Sequence, residues 1–306
     1  MGGPNNLNEV ELFLRNMFND ENIITVKNRL LRKFIASTIV ALRKKPAIEN
    51  YKEIGGKSPL VENTKNLIKK IEAKKPHIFI TFAMRYTPPF SKEVIEELKE
   101  RGIKDVFLLP LYPHYSTTTT KSSLEEFIKT AKELKYDAKI SSVKRFYKEE
   151  LYNKAVVDKI KESLANYSAE SFTLIFSAHS LPKKIVDKGD SYKDEIEDNV
   201  KILKKLLAKE GVKFDKVELA YQSKLGPVRW LEPSLEDKLK EYKGKKVIIY
   251  PISFILDNSE TIQELHIEYA TKAKELGVKD YRVCSCLNDS ETFVDFIHRY
   301  YIDTQY

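Results

Sequence analysis

Cysteine is scarce in this chain: Cys284 and Cys286 are the only two in 306 residues. They stand two apart in what reads as a late strand, so they point to opposite faces and a disulfide between them is not expected. Two thiols also fall short of the about four ligands that an iron–sulfur cluster needs. Small buried thiols in a reducing cytoplasm are the expectation. Long apolar runs are lacking too. Every hydrophobic stretch is strand-sized, well below the ~20 residues that span a bilayer, and no signal peptide is read at the N-terminus. There is no low-complexity linker, so any domain boundary must be short. No nucleic-acid-binding module is present, and nucleic-acid binding is not expected despite a formal net charge of +8. The basic residues mix with glutamates along helical runs and read as solvated faces.

What remains is 42% hydrophobic, enough for well-formed cores in one large or two medium domains. Apolar runs at 77–83, 105–112, 172–178, 216–222, 246–253 and 281–285 predict strands. Amphipathic runs at 8–18, 27–42, 61–71, 92–101, 123–134, 148–164, 192–207, 260–276 and 291–301 predict helices between them. That alternation predicts an α/β fold with parallel sheets flanked by helices. A weak strand at 138–143 passes into the charged helix near 148, and the boundary is placed there. It gives an N-terminal half over 1–145 and a C-terminal half over 146–289, with the helix over 290–306 a candidate for packing back on the first half. Met1-Gly2-Gly3-Pro4-Asn5 reads as a turn that a strand should precede, because the first strand of a doubly wound sheet is normally central. The expectation is a first strand absent from this sequence, with a start upstream.

His179 ends the run Phe176-Ser177-Ala178 and is followed by Ser180-Leu181-Pro182. A lone histidine after a strand is more often a hydrogen-bonded structural residue, so its company decides. That company is Asp257-Asn258-Ser259-Glu260-Thr261, which follows another apolar strand. Carboxyl ends of strands in open α/β sheets are where ligands bind. An imidazole and a carboxylate meeting there can accept protons, bind a borderline divalent cation, or do both in turn. Glu260, Glu264 and Glu268 fall near one face of a helix, with Asp257 ahead of them and no interleaved lysines in the reading. Such a row is either a solvated acidic face or a conduit for cations or protons. Arg85, closing the 77–83 run, suits a carboxylate held bidentately or a surface salt bridge. Tyr112 and Ser116 stand among aromatics and hydroxyls that form either a helix N-cap cluster or a set of donors for an anion. Trp230, the single tryptophan, sits in a Pro-bounded loop, where its ring suits a flat ligand.

Taken in order, these segments resemble the ferrochelatases, enzymes that insert ferrous iron into a porphyrin late in haem synthesis. The resemblance runs through Met1-Gly2-Gly3-Pro4, Gly55-Gly56-Lys57-Ser58-Pro59, Tyr112-Pro113-His114-Tyr115-Ser116 and Ser177-Ala178-His179-Ser180-Leu181-Pro182. It continues through Gly189-Asp190-Ser191-Tyr192, Tyr221-Gln222-Ser223, Gly226-Pro227, Trp230-Leu231, Asp257 with Glu260-Thr261, and Leu287-Asn288-Asp289. It implies two similar Rossmann-like or flavodoxin-like domains, each with a four-stranded parallel sheet, and a porphyrin in the cleft between them. It further implies that His179 and Glu260 handle ferrous iron and carry the chemistry, with Asp257, Glu264 and Glu268 behind them as a proton or metal conduit. By the same resemblance Arg85, Tyr112, Ser116 and Trp230 line the porphyrin pocket, and Met1 approaches the opposite face of the macrocycle.

The run 34–40 corresponds to a lip that in the family can touch the membrane. A cytoplasmic monomer with a peripheral contact on the inner membrane face is therefore expected. Ferrous iron and protoporphyrin IX or coproporphyrin III enter as substrates, two protons leave, and neither a permanent cofactor nor an iron–sulfur cluster is expected. Two departures matter. Asn258 stands where many members carry a second histidine, and Thr117 stands where cluster-bearing members carry a cysteine. The alternative is a non-enzymatic tetrapyrrole or metal carrier on the same fold. A Ser-His-acid hydrolase using Ser177 or Ser180 lacks the nucleophile-elbow sequence.

Overall fold

In the computed structural model, which describes residues 1–305 apart from Pro76 and Leu225 and side chains as far as Tyr300, the chain divides into two compact units. One comprises residues 1–111 and 115–144, the other 112–114 and the chain from Arg145 onward. Tyr306, counted in the expected C-terminal helix, and Leu225, in the tryptophan loop, lie outside the described residues.

The first unit contains helices α1 (Val10–Asn19), α2 (Arg29–Glu53), α3 (Leu60–Lys74), α4 (Ser91–Glu100) and α5 (Ser122–Glu133). Its sheet has two described strands, β1 (Asp105–Leu108) and β2 (Lys139–Ser142), paired in parallel with Val106 opposite Ile140. Val94, Ile95 and Leu98 of α4 close one core with Val106, Phe127 and Ala131. Where the resemblance implies a four-stranded first sheet, the described residues of this unit form a two-stranded one. The run 77–83 is not a strand, and none of its side chains is fully buried. A strand exists only where its backbone groups find a neighbour, and no described strand pairs with this run. The apolar content that suggested a strand instead includes Phe79, with the Arg101 guanidinium 4.1 Å above its ring.

Helix α2 outruns its expected end at 42 by passing through Pro46. Proline removes one i→i−4 bond, here the one to Leu42, whose stretch of helix is exposed to solvent. At its start, the Asn28 side chain accepts from the N–H groups of Leu30 and Leu31, the usual reason for asparagine at an N-cap.

The second unit has β3 (Thr173–His179), β4 (Lys216–Gln222), β5 (Lys246–Pro251) and β6 (Asp280–Val283) in the order β4-β3-β5-β6, all parallel. Around them lie α6 (Glu150–Leu164), α7 (Lys183–Val186), α8 (Tyr192–Lys209), α9 (Leu235–Lys240), α10 (Tyr269–Glu275) and α11 (Glu291–Gln305). Helix α9 has no counterpart in the sequence reading, being less than two turns long. The run 260–276 divides into a π-helical segment, Glu260–Glu268, and α10. Helix α11 packs on α6, the Phe296 ring lying 6.3 Å from Tyr152 and 5.2 Å from Phe146. Strand β3 is central, and Leu174, Ile175 and Phe176 have no exposed surface. Each such burial contributes on the order of 1.5–3 kcal/mol, which anchors the strand that ends in His179.

Candidate active site

Strand β3 outlasts one of its neighbours. Its ladder with β5 stops at Ser177 opposite Pro251, while its ladder with β4 continues to His179 opposite Gln222. Past the end of β5, side chains take over the missing backbone partners. The His179 N–H donates to Ser253 Oγ at 2.9 Å, and the His179 carbonyl accepts from the Tyr192 hydroxyl at 3.0 Å. The imidazole Nδ1 lies 2.6 Å from the Ser180 carbonyl. A carbonyl only accepts, so Nδ1 carries the ring proton, and Nε2 presents a lone pair.

Nε2 lies 3.6 Å from Glu260 Oε2, beyond an ordinary hydrogen bond. Glu260 is 41% exposed as a side chain, yet its Oε2 is buried and no described group donates to it. Two acceptors facing each other at this distance can share a proton or a cation between them.

Glu260 opens the π-helical segment, and such segments are frequent at functional sites. Asn258 sets the start: its Oδ1 accepts the Glu260 N–H at 2.8 Å, and its own N–H donates to Thr261 Oγ1 at 3.0 Å. The acidic row then splits. Glu264, four residues on and within electrostatic reach of Glu260, accepts through its carboxylate from Gln222 Nε2 at 3.2 Å, from the Ser223 N–H at 2.8 Å and from Ser223 Oγ. Burial, and secondarily the charge of Glu260, raises the Glu264 pKa, while the Ser223 bond, His179 and Gln222 oppose that shift. Asp257 is buried and occupied, accepting from Thr261 Oγ1 at 2.9 Å, Asn288 Nδ2 at 2.7 Å and the Cys286 N–H at 3.3 Å. Glu268 bonds to Lys272 at 3.0 Å. Lys272, four residues on, is an interleaved lysine that the sequence reading of the row did not count.

Trp230 is brought to the segment after His179 by an antiparallel bridge to Pro182, flanked by Leu231 N–H to the Leu181 carbonyl at 3.1 Å and Lys183 N–H to the Arg229 carbonyl at 2.8 Å. Its indole N–H is buried without a described acceptor. Tyr112 also belongs to the second unit, where the carbonyl of Pro113 accepts from the N–H groups of Phe146 and Tyr147.

Met1, Arg85 and Ser116 belong to the first unit. The Met1 carbonyl accepts from the N–H groups of Arg85 and Tyr86. The Arg85 guanidinium pairs with Asp20 at 3.2 Å and donates through Nε to Ser122 Oγ at 3.1 Å. Ser116 caps the short helical segment Thr117–Lys121, its Oγ accepting from the Thr118 N–H at 3.2 Å. Ser116 thus caps the segment that leads into α5, whose own N-cap, Lys121, makes no side-chain cap bond.

Four residues around the pair were not singled out individually from the sequence. Tyr192 and Ser253 hold the His179 backbone, and Gln222 and Ser223 hold Glu264. The signal for Tyr192 was its place after Gly189-Asp190-Ser191, since Asp190 accepts the Tyr192 N–H and so starts α8. Ser223 adopts φ +64, a left-handed conformation costing a non-glycine residue roughly 1–2 kcal/mol; no sequence signal marks it. Cys284 and Cys286 are free and buried, and burial pushes the Cys284 thiol up to about 12. Among the described residues, no group of three or more His, Cys, Asp or Glu side chains is placed to hold a metal ion.

A family model described as ferrochelatase matches residues 1–304. A ferrochelatase of a Nitratiruptor species is 56% identical over 295 residues, covering 96% of this chain and 94% of that protein. One of Helicobacter pylori is 43% identical over 298 residues, covering 97% and 89%. Among solved structures, SirB from Bacillus subtilis with Fe3+ matches with a TM-score of 0.54 at 15% identity over 78% of this chain and 88% of that one, a likeness of fold alone. With a family model that spans nearly every residue and relatives this similar over almost their whole lengths, the chain belongs to the ferrochelatase family.

Proposed function

We propose that this protein inserts Fe2+ into a porphyrin with release of two protons, and that the His179–Glu260 pair is where the metal is handed over and the protons are received. As a ferrochelatase it is a porphyrin metal chelatase, a lyase of haem biosynthesis. A stoichiometric carrier on the same fold is not favoured, since the relatives are named for the enzyme.

The observation that carries the reading is the 3.6 Å approach of two lone-pair atoms, Nε2 and Oε2, with Nδ1 tied to a carbonyl. Two protein ligands leave most of a ferrous ion's coordination positions open, as suits a cation in transit. A free porphyrin is planar and its cavity holds two N–H protons, so the ring must bend before nitrogen lone pairs reach the metal. Strain of this kind is typically worth ~1–5 kcal/mol, and Trp230 and Tyr112 are the flat side chains of this unit assigned to hold the bent ring. As Fe–N bonds replace the two N–H bonds, Nε2 takes up the two protons one after the other and passes each to Glu260, with Glu264 next in line. Iron contact and proton uptake at Nε2 are successive, because each needs the same lone pair. The route proposed runs through Glu264, while Asp257 is engaged by Thr261 and Asn288, and Glu268 by Lys272. In the first unit, Met1, Arg85 and Ser116 are proposed as porphyrin contacts through shape, since hydrogen bonds within that unit engage the Met1 carbonyl, the Arg85 guanidinium and the Ser116 hydroxyl.

No helix among the described residues is long and apolar enough to cross a membrane. A peripheral contact is part of the proposal: α2 exposes Leu30 (79%), Phe34 (71%) and Leu42 (71%) beside Arg29 and Lys33, the pairing of apolar and basic groups that binds an anionic bilayer surface. The protein then works as a cytoplasmic monomer at the inner membrane face. Co-sedimentation with anionic vesicles should weaken in Leu30→Ser/Phe34→Ser, and equal sedimentation of variant and wild type removes this contact.

The function is tested by anaerobic incubation with Fe2+ and either protoporphyrin IX or coproporphyrin III, following loss of porphyrin fluorescence. Many turnovers are expected with one of them. His179→Ala should lose on the order of 100-fold in turnover, as removal of a general base does; retention of most activity overturns the assignment of the pair.

A further inference from the structure

We propose that Ser223, together with Gln222, is a positioning residue that fixes the Glu264 carboxyl group near Glu260 as the next station for protons leaving the His179 pair. The inference rests on the function proposed above and adds two side chains that touch neither substrate.

The argument begins in the sheet. Gln222 is the last residue of β4 and stands in register with His179, the last residue of β3. Its side chain has no exposed surface. Ser177, two residues before His179, donates from Oγ to Gln222 Oε1 at 2.7 Å. The Glu260 carbonyl at 3.4 Å and Glu264 Oε2 at 3.2 Å only accept, so the end facing them is Nε2, and Oε1 is the end held by Ser177. The strand carrying the histidine therefore also orients the amide that holds the carboxylate.

Ser223 completes the clamp by leaving the strand conformation. In a continued strand, successive residues address opposite faces. With φ +64, Ser223 turns its N–H onto Glu264 Oε1 and its hydroxyl onto Oε2. Three donors from two consecutive residues thus meet both oxygens of one carboxylate, and a strained backbone at such a place is retained only where its surroundings over-determine it. The charged and titratable groups that act on or feel Glu264 are Glu260 on its own segment, His179 from β3, Tyr269 from α10 and Tyr281 from β6. None of them replaces the Ser223 donors. Without the clamp, a glutamate on a helix samples several rotamers, and proton exchange with Glu260 needs one of them.

Two substitutions separate positioning from general stability. Ser223→Gly keeps the left-handed turn and its N–H, removes the hydroxyl and relieves the strain. Ser223→Ala removes the hydroxyl and keeps the strain. Both should lower turnover by about 10-fold, the loss that corresponds to one hydrogen bond to a charged group, with porphyrin KM unchanged. Their melting temperatures should differ, the glycine variant melting above the alanine variant. Wild-type turnover in Ser223→Gly, a porphyrin KM that rises in step, or activities that follow the melting temperatures would each overturn the inference. Wild type is assayed alongside: failure of wild type to metallate either porphyrin sinks the function itself, whereas an active wild type matched by Ser223→Gly sinks the clamp alone.

Discussion

Asp257 and Asn288 hold each other by reciprocal bonds: the Asp257 N–H donates to Asn288 Oδ1 at 2.9 Å, and Asn288 Nδ2 donates to Asp257 Oδ2 at 2.7 Å. Asn288 lies at φ +47, a conformation that asparagine tolerates better than most residues. The pair ties the loop after β6 to the loop after β5, three residues ahead of Glu260. Asn288→Ala leaves a buried carboxylate short of a donor, which should cost about 1–3 kcal/mol. Asn288→Gly loses the same bonds but adopts the conformation freely, so it should be the milder of the two. Urea unfolding checks both, and equal midpoints for wild type and Asn288→Ala would show that the exchange carries no net stability.

His114 gives a pH prediction. It is buried, stacks on Tyr147 and meets the edge of Tyr192, while Nε2 lies 2.9 Å from Asn199 Oδ1. Because Asn199 spends its Nδ2 on the Tyr147 carbonyl and Asn153 Oδ1, its Oδ1 accepts and Nε2 carries the His114 proton. Burial lowers the His114 pKa from 6.5 to about 3. The unfolded chain therefore takes up this proton first as pH falls, so the contribution to stability is full above 6.5 and is lost progressively between 6.5 and about 3. His114→Gln removes the titration. Its unfolding midpoint should fall less steeply than that of wild type over that window, and parallel curves would contradict the buried neutral imidazole.

Glu264 behaves with the opposite sign. Its pKa is raised above 4.5 by burial and then by Glu260, so the folded state holds this proton more tightly than the unfolded chain. Stability from this group is present at low pH and declines as pH rises from 4.5 through the folded value. Glu264→Gln sets an amide NH2 against the donors of Gln222 and Ser223 at every pH. Its stability relative to wild type should nonetheless rise from pH 4 to pH 8, and turnover should fall at least about 10-fold as a proton-transfer group is removed. Thermal melts at the two pH values with a turnover assay decide it; a relative stability that falls from pH 4 to pH 8 contradicts the sign.

The alternation of strands and helices was legible in the pattern of residues alone, because a central parallel strand such as β3 must be apolar on both faces and so leaves a continuous hydrophobic run. So was the pairing of His179 with the acidic segment after β5, since residues at the carboxyl ends of neighbouring parallel strands face one cleft. Where local pattern and strand pairing disagree, long-range packing had the last word. The run 77–83 has a strand's composition and finds no described partner strand, because pairing depends on residues far away in the chain. The carboxylates of the acidic row share a helical spacing but meet different neighbours: Asp257 the loop after β6, Glu264 the end of β4, Glu268 the lysine of α10. Helical periodicity says which residues share a face, while the partner that neutralises each charge comes from another strand or helix. The same reason hid Ser223. Its left-handed turn is unfavourable taken alone, and it makes sense only beside a carboxylate that arrives from a segment about forty residues later.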